Sequence, residues 1–238
     1  MKRSLSLGVI LLLVAGVFLG GCGGDPQNTI TVYNWGDYID KSILSSFEKE
    51  YGVKVIYEEF ATNEDMYIKL KAGGSSYDVA IPSDYMIKRM IDEDMVHKID
   101  FANVPNYQYI ADRFKNLGFD PENEYSVPYM WGTVGILYNK TMVDDPVDSW
   151  EILWDEKYSK QILMLDSQRD SIGITLKMLG YSLNTKDVNQ LEEAKAKLME
   201  QKPLVLAYVG DEVKDKMIGG EAALAVVWSG DAVYMKRE

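Results

Sequence analysis

Two short segments join aromatic rings to carboxylates, Trp35-Gly36-Asp37-Tyr38 and Pro82-Ser83-Asp84-Tyr85, and a third, Asp166-Ser167-Gln168-Arg169-Asp170, carries two carboxylates. A fourth point, Trp228, closes a very apolar run. An unpaired ammonium is costly to take out of water, and a carboxylate beside it removes most of that cost. An aromatic face adds a cation–π attraction of ~0.5–2 kcal/mol and packs a methylene stem. Together these residue types suit an alkylammonium ligand. Each residue alone also fits a plainer role. Trp35 and Trp228 fit core packing, Asp37 or Asp40 fits the cap of a first helix, Ser83, Asp84 and Asp170 fit caps of later ones, and Tyr38 and Tyr85 fit half-buried tyrosines. Asp166 and Asp170 are close enough in sequence for acid–base work, which keeps an enzyme among the alternatives. Against an enzyme, no Gly-rich phosphate loop follows the first strand and no nucleophile elbow is visible.

The rest of the composition narrows the chemistry. His97 is the only histidine and Cys22 the only cysteine among 238 residues. An internal disulfide, a thiolate cluster, a His-based metal site and a Ser-His or Cys-His nucleophile therefore lack material, and neither a metal nor a cofactor is expected. With 37 acidic and 25 basic side chains the net charge is −12, opposite to the basic surfaces of nucleic-acid binders.

The first residues have their own logic. Lys2 and Arg3 precede an apolar run from Leu7 to Phe18, and Leu19-Gly20-Gly21-Cys22 follows. Basic, apolar, then small is the layout of a secretory signal. The run is shorter than the ~20 apolar residues of a membrane-spanning helix. The small residues before Cys22 resemble a lipobox, which implies cleavage after Gly21 and acylation of the Cys22 sulfur. More than one acyl chain is needed for stable membrane attachment.

What must position the strand-end residues is an α/β alternation. Strands are expected over Thr29 to Trp35, Val53 to Tyr57 and Tyr77 to Ile81. Between them run helices after Asp40, with Ile43, Leu44 and Phe47 on the apolar side, over Asn63 to Ala72, and after Ser83 or Asp84. This βαβαβα series implies a largely parallel sheet with helices on both faces. Residues 100–124 are loop-rich, and Tyr125 to Tyr138 reads as extended with a break at Gly132. Trp150 to Tyr158 reads as a helix, Gln161 to Leu165 as a buried strand, and Ser171 to Leu179 and Leu191 to Glu200 as helices. Leu204 to Val209 reads as a strand, Glu212 to Ile218 as a helix and Ala222 to Trp228 as a strand. The expected division is a signal at 1–21, a lipidated cysteine and spacer at 22–28, one α/β lobe at 29–134 and a second at 135–238. Glu238 interrupts a helix that begins after Trp228, so the second lobe is expected to be incomplete. In open α/β sheets ligands sit outside the carboxyl ends of the strands, where the aromatic and acidic segments fall.

Those segments also carry a resemblance. Tyr33-Asn34-Trp35-Gly36-Asp37-Tyr38-Ile39 is similar to the first-strand motif of bacterial spermidine/putrescine-binding proteins, the solute receptors of polyamine ABC importers. Lys54-Val55-Ile56-Tyr57, Asn63-Glu64-Asp65-Met66-Tyr67, Tyr77-Asp78-Val79, Pro82-Ser83-Asp84-Tyr85, Ser126 to Gly132 and Val227-Trp228-Ser229-Gly230 match in the same order and spacing. The resemblance implies a periplasmic-binding-protein-like fold of type II, with two lobes that close over a polyamine. It implies ligand contacts from Trp35, Asp37, Tyr38, Ser83 and Tyr85 in the first lobe, and from Ser167, Asp170 and Trp228 in the second. Asp37 stands where a glutamate is common, and Ser167 where a second carboxylate can sit. The implied partners are a polyamine, ABC permease subunits and a membrane reached through the lipid anchor, with a monomeric receptor in the periplasm or on the outer face of the cell membrane. A receptor of the same fold for ferric iron or an anion is the alternative; the acidic strand ends argue against an anion. About the last third of such a receptor is expected to be absent from this sequence.

Overall fold

The computed structural model describes residues 28–74 and 76–238. The signal at 1–21 and Cys22 lie outside the described residues. The first sheet consists of β1 (Thr29–Trp35), β2 (Lys54–Phe60) and β3 (Val79–Ala80), all parallel, in the order β2-β1-β3. β1 pairs with β2 from Thr29↔Lys54 to Trp35↔Phe60. Helix α1 (Lys41–Tyr51) starts where the Asp40 carboxylate accepts the Ser42 N–H, and ends at Gly52 with φ 66°. A positive φ is cheap only for glycine. Helix α2 (Asn63–Ala72) is capped by Thr62, and α3 (Asp84–Asp92) follows Ser83. Tyr33, Phe60, Met66, Tyr67, Met86 and Met90 are buried together as this lobe's core.

The second sheet holds β4 (Val134–Tyr138), β5 (Ile162–Leu165), β6 (Val205–Val209) and β7 (Leu224–Trp228), in the order β4-β7-β5-β6. β4 runs antiparallel to β7; β5 is parallel to both β6 and β7. Ile162, Met164, Leu224 and Val226 face one apolar cluster, and Leu163, Ala225 and Val227 the other. That alternation is the two-residue period of a strand. Both faces are covered, so β5 and β7 are almost uniformly apolar. Helices α4 (Gln168–Met178), α5 (Val188–Gln201), α6 (Val213–Ile218) and α7 (Ser229–Met235) complete the lobe. Two lobes, each with a mostly parallel sheet and flanking helices, match the expected architecture. Among the described residues, no helix is long and apolar enough to cross a membrane.

Several elements differ from expectation for local reasons. The third strand shrinks to two residues, because Pro82 follows Ile81 and carries no N–H to extend the ladder. Its ends are still tied to β1, by Asp78 N–H to Thr31 O (3.0 Å) and Ile81 N–H to Tyr33 O (3.0 Å). Residues 125–133 are irregular and only Val134–Tyr138 is a strand. The Asp120 carboxylate, nearly fully buried, takes the N–H groups of Glu124, Tyr125 and Ser126 (2.9–3.1 Å) and so withdraws them from any ladder. Trp150 to Tyr158 is two 3₁₀ turns, because Ser149 and then Asp155 each cap a new turn. The cap of α4 is Ser167, whose hydroxyl accepts the Asp170 N–H at 3.3 Å; Asp170 sits in the first turn. The stripe Ile43, Phe47 and Tyr51 on α1 is exposed, while Glu48 on the same helix accepts the Val55 N–H at 2.8 Å and fixes the helix to β2.

Candidate ligand-binding cleft

A groove of about 2870 Å³ runs between the two sheets. Trp35, Asp37, Tyr38, Ser83, Tyr85, Ser167, Asp170 and Trp228 all line it. They sit at the carboxyl ends of β1, β3, β5 and β7, where the chain leaves each strand.

The first lobe presents two ring-and-oxygen groups. Trp35 packs on Phe60 (ring centroids 4.6 Å apart) and leans toward Tyr38 (5.9 Å), so it is both a core wall and a groove wall. Asn63, buried at the start of α2, organises the second group. Its amide donates to the Ser83 hydroxyl (3.1 Å) and the Tyr85 hydroxyl (2.9 Å), and its carbonyl accepts the Ser83 N–H (2.9 Å). Tyr85 in turn donates to Glu64 (3.1 Å). Burial first, and then the Glu64 charge, push the Tyr85 phenol well above its ordinary pKa. It therefore stays a neutral donor and acceptor.

The second lobe supplies charge. Burial raises the Asp170 pKa, and hydrogen bonds from Ser167 and Trp228, with the charge of neighbouring Arg169, only partly offset the rise. A half-buried carboxylate with a raised pKa is short of cationic partners. Tyr38 is raised too, by burial and then by the charges of Asp231, Asp211 and Asp170. Asp37, Asp170, Asp211 and Asp231 thus gather around Tyr38 and Lys214 in the groove lining.

The lobes touch across this middle. Lys214 on α6 reaches Asp37 at 2.5 Å and Asp211 at 3.2 Å. The Arg169 guanidinium lies 5.5 Å from the Tyr85 ring centroid. Gly36 leaves room for the Asp211 carboxylate in this position, since a Cβ there would stand 2.8 Å from its Oδ2 and turn the side chain aside. Asn63, Glu64, Asp211, Lys214 and Asp231 were not expected in the site, although Asn63 and Glu64 belong to one of the motifs that carry the resemblance. The strand-end rule reaches Asp211, which follows β6, and Asp231, which follows β7. Asn63 and Glu64 open a helix and carry no such mark. His97 is exposed on the groove rim. Among the described residues, no cluster of three or more His, Cys, Asp or Glu is arranged to hold a metal ion.

Known proteins resemble this chain in sequence and fold. The family model described as bacterial extracellular solute-binding protein matches residues 42–238. The spermidine/putrescine-binding periplasmic protein of Escherichia coli (strain K12) is 38% identical over 231 residues, covering 95% of this chain and 66% of its own length. The putrescine-binding periplasmic protein SpuD of Pseudomonas aeruginosa is 32% identical, covering 96% and 66%. Among solved structures, the spermidine/putrescine ABC transporter substrate-binding protein PotD of Streptococcus pneumoniae is 46% identical (TM-score 0.69), covering 87% of this chain and 64% of that one. The TpPotD lipoprotein of Treponema pallidum is 32% identical (TM-score 0.80), covering 87% and 66%. The chain spans about two thirds of the length of these relatives. With a matching family model over most of its residues and this two-lobed cleft, the chain belongs to the bacterial extracellular solute-binding protein family.

Proposed function

We propose that this protein is a receptor that captures a polyamine, spermidine or putrescine, and hands it to an ABC-type import permease. The observation that carries this reading is the groove itself, in which half-buried Asp170 lies among Trp228, Tyr38, Trp35 and further carboxylates. Aromatic walls with carboxylates short of cations fit alkylammonium groups on methylene stems. The names of the relatives support the same ligand class. Trp35, Asp37, Tyr38, Ser83 and Tyr85 would grip the ligand from the first lobe, and Asp170, Trp228 and Ser167 from the second. Asp170 would pair with an ammonium; Ser167 caps α4 and orients Asp170. The lobes are taken as 29–134 and 135–238, each built on its own sheet.

Closure follows from the electrostatics. A cation between the lobes attracts carboxylates from both, and excluding water strengthens each pair. Hinge closure around a ligand is a common transition of two-lobed receptors. The closed shape would be what the permease recognises. A lipid on Cys22, with residues 23–28 as spacer, would hold a monomeric receptor in the periplasm or on the outer face of the membrane; the Treponema relative is itself described as a lipoprotein. We read the chain as a binding protein without catalytic activity. Titration calorimetry of the purified protein with putrescine and spermidine, with mass spectrometry of any ligand released on denaturation, tests this. No heat with either amine, and no amine released, defeats it.

A further inference from the structure

One cation already occupies the acidic centre of the groove. Lys214 is the second residue of α6, and its side chain is only 11% exposed. Its ammonium lies 2.5 Å from Asp37, 3.2 Å from Asp211 and 3.9 Å from Asp231. Asp37 comes from the end of β1, whereas Asp211 and Asp231 follow β6 and β7. The cation therefore bridges the two lobes, as the proposed ligand would. Burial opposes its charge, but the Asp37 hydrogen bond and the Asp211 and Asp231 charges outweigh burial and leave its pKa raised. Chemically, an ammonium on four methylenes is the end of an aminobutyl arm. Lys214 is a covalently tethered copy of the ligand's own head group.

We propose that Lys214 fills one ammonium subsite of the groove, formed by Asp37, Asp211 and Asp231, and so sets the number of ligand charges that the site accepts. This rests on the polyamine reading above. With Lys214 in place, that subsite is neutralised from within, and Asp170 remains the main carboxylate short of a cation. A diamine can use Asp170 and the aromatic walls without displacing anything. A triamine has one more charge, which must either evict Lys214 or stay beside it, and like charges at that range repel. Lys214 is thus a specificity residue that tilts the cleft toward the shorter amine. Gly36 belongs to the same device, because it lets Asp211 come close enough to share the cation.

The test compares wild type with Lys214→Met and Lys214→Gln by calorimetry with putrescine and spermidine. Methionine keeps much of the stem and removes the charge; glutamine keeps a polar end. Opening the subsite is expected to raise the affinity for spermidine relative to putrescine by about tenfold, the size of one modest charge pair. A merely structural latch predicts something else: a lower melting temperature with an unchanged ratio of the two affinities. An unchanged or falling ratio in both folded variants overturns the proposal while leaving polyamine binding intact. If the wild type binds neither amine, the polyamine reading fails first, and this one with it.

Discussion

Asp170→Asn removes the groove's half-buried carboxylate with almost no change in shape. Unit charges 4 Å apart interact by ~4 kcal/mol at an effective dielectric constant near 20. Asp170 is only partly shielded and already accepts hydrogen bonds from Ser167 and Trp228, so half to three quarters of that, ~2–3 kcal/mol, is the expected loss. At ~1.4 kcal/mol per factor of ten, polyamine affinity falls roughly 30- to 150-fold. The unliganded fold responds oppositely. Burial raises the folded pKa of Asp170, so its ionised form costs stability, fully at neutral pH, and that cost disappears as pH falls through the raised value. The asparagine variant should therefore melt no lower than wild type at pH 7. Calorimetry supplies the affinity and a thermal melt the stability. In wild type, binding should weaken on acidification at a pH above the ordinary aspartate range. An asparagine variant that binds polyamine within threefold of wild type, or that melts several degrees lower, would refute this account of Asp170.

Other perturbations probe separate parts. Gly36→Ala places a methyl 2.8 Å from Asp211; it should weaken ligand binding with little change in melting temperature, and equal affinities would show that the close approach is dispensable. Asn63→Ala strands the Ser83 N–H and removes the donor to the Ser83 and Tyr85 hydroxyls, at ~1–3 kcal/mol for an unsatisfied buried group, so both stability and affinity should drop. Leu224→Ala opens a cavity in the second sheet, where Leu224 is fully buried. A loss of ~2–5 kcal/mol is expected, read as a melting temperature lower by ~2–4 °C for each kcal/mol.

Much of the fold was legible because periodicity and caps agree locally. β1 and α2 fall where the residues place them, since Thr29 to Trp35 alternates and Thr62 and Gly73 bracket Asn63–Ala72. The misread elements have separate causes, a proline after the third strand, fresh caps at Ser149 and Asp155, and, least visible, a side chain that competes for backbone donors. Asp120 does this to Glu124, Tyr125 and Ser126, and no local pattern announces it. The site was legible where it follows strand ends, as at Trp35, Asp170 and Trp228. The role of Lys214 was not, because a lysine at a helix start reads as surface charge until Asp37 and Asp231, from other segments, are seen beside Asp211 around it.

The strand order of the second sheet bears on the timing of folding. β1 meets β2 across only 25 positions, Thr29↔Lys54. β4 meets β7 across 94, Val134↔Trp228, and β7 is its neighbour in the sheet. Ring-closure entropy grows slowly with separation, yet such remote pairings dominate the slowness of folding across proteins. An N-terminus-first chain can thus assemble its opening β-α-β unit early, while β4 waits unpaired until residue 228 arrives. The second sheet therefore stays open until its most distant strand arrives, long after the first sheet can close.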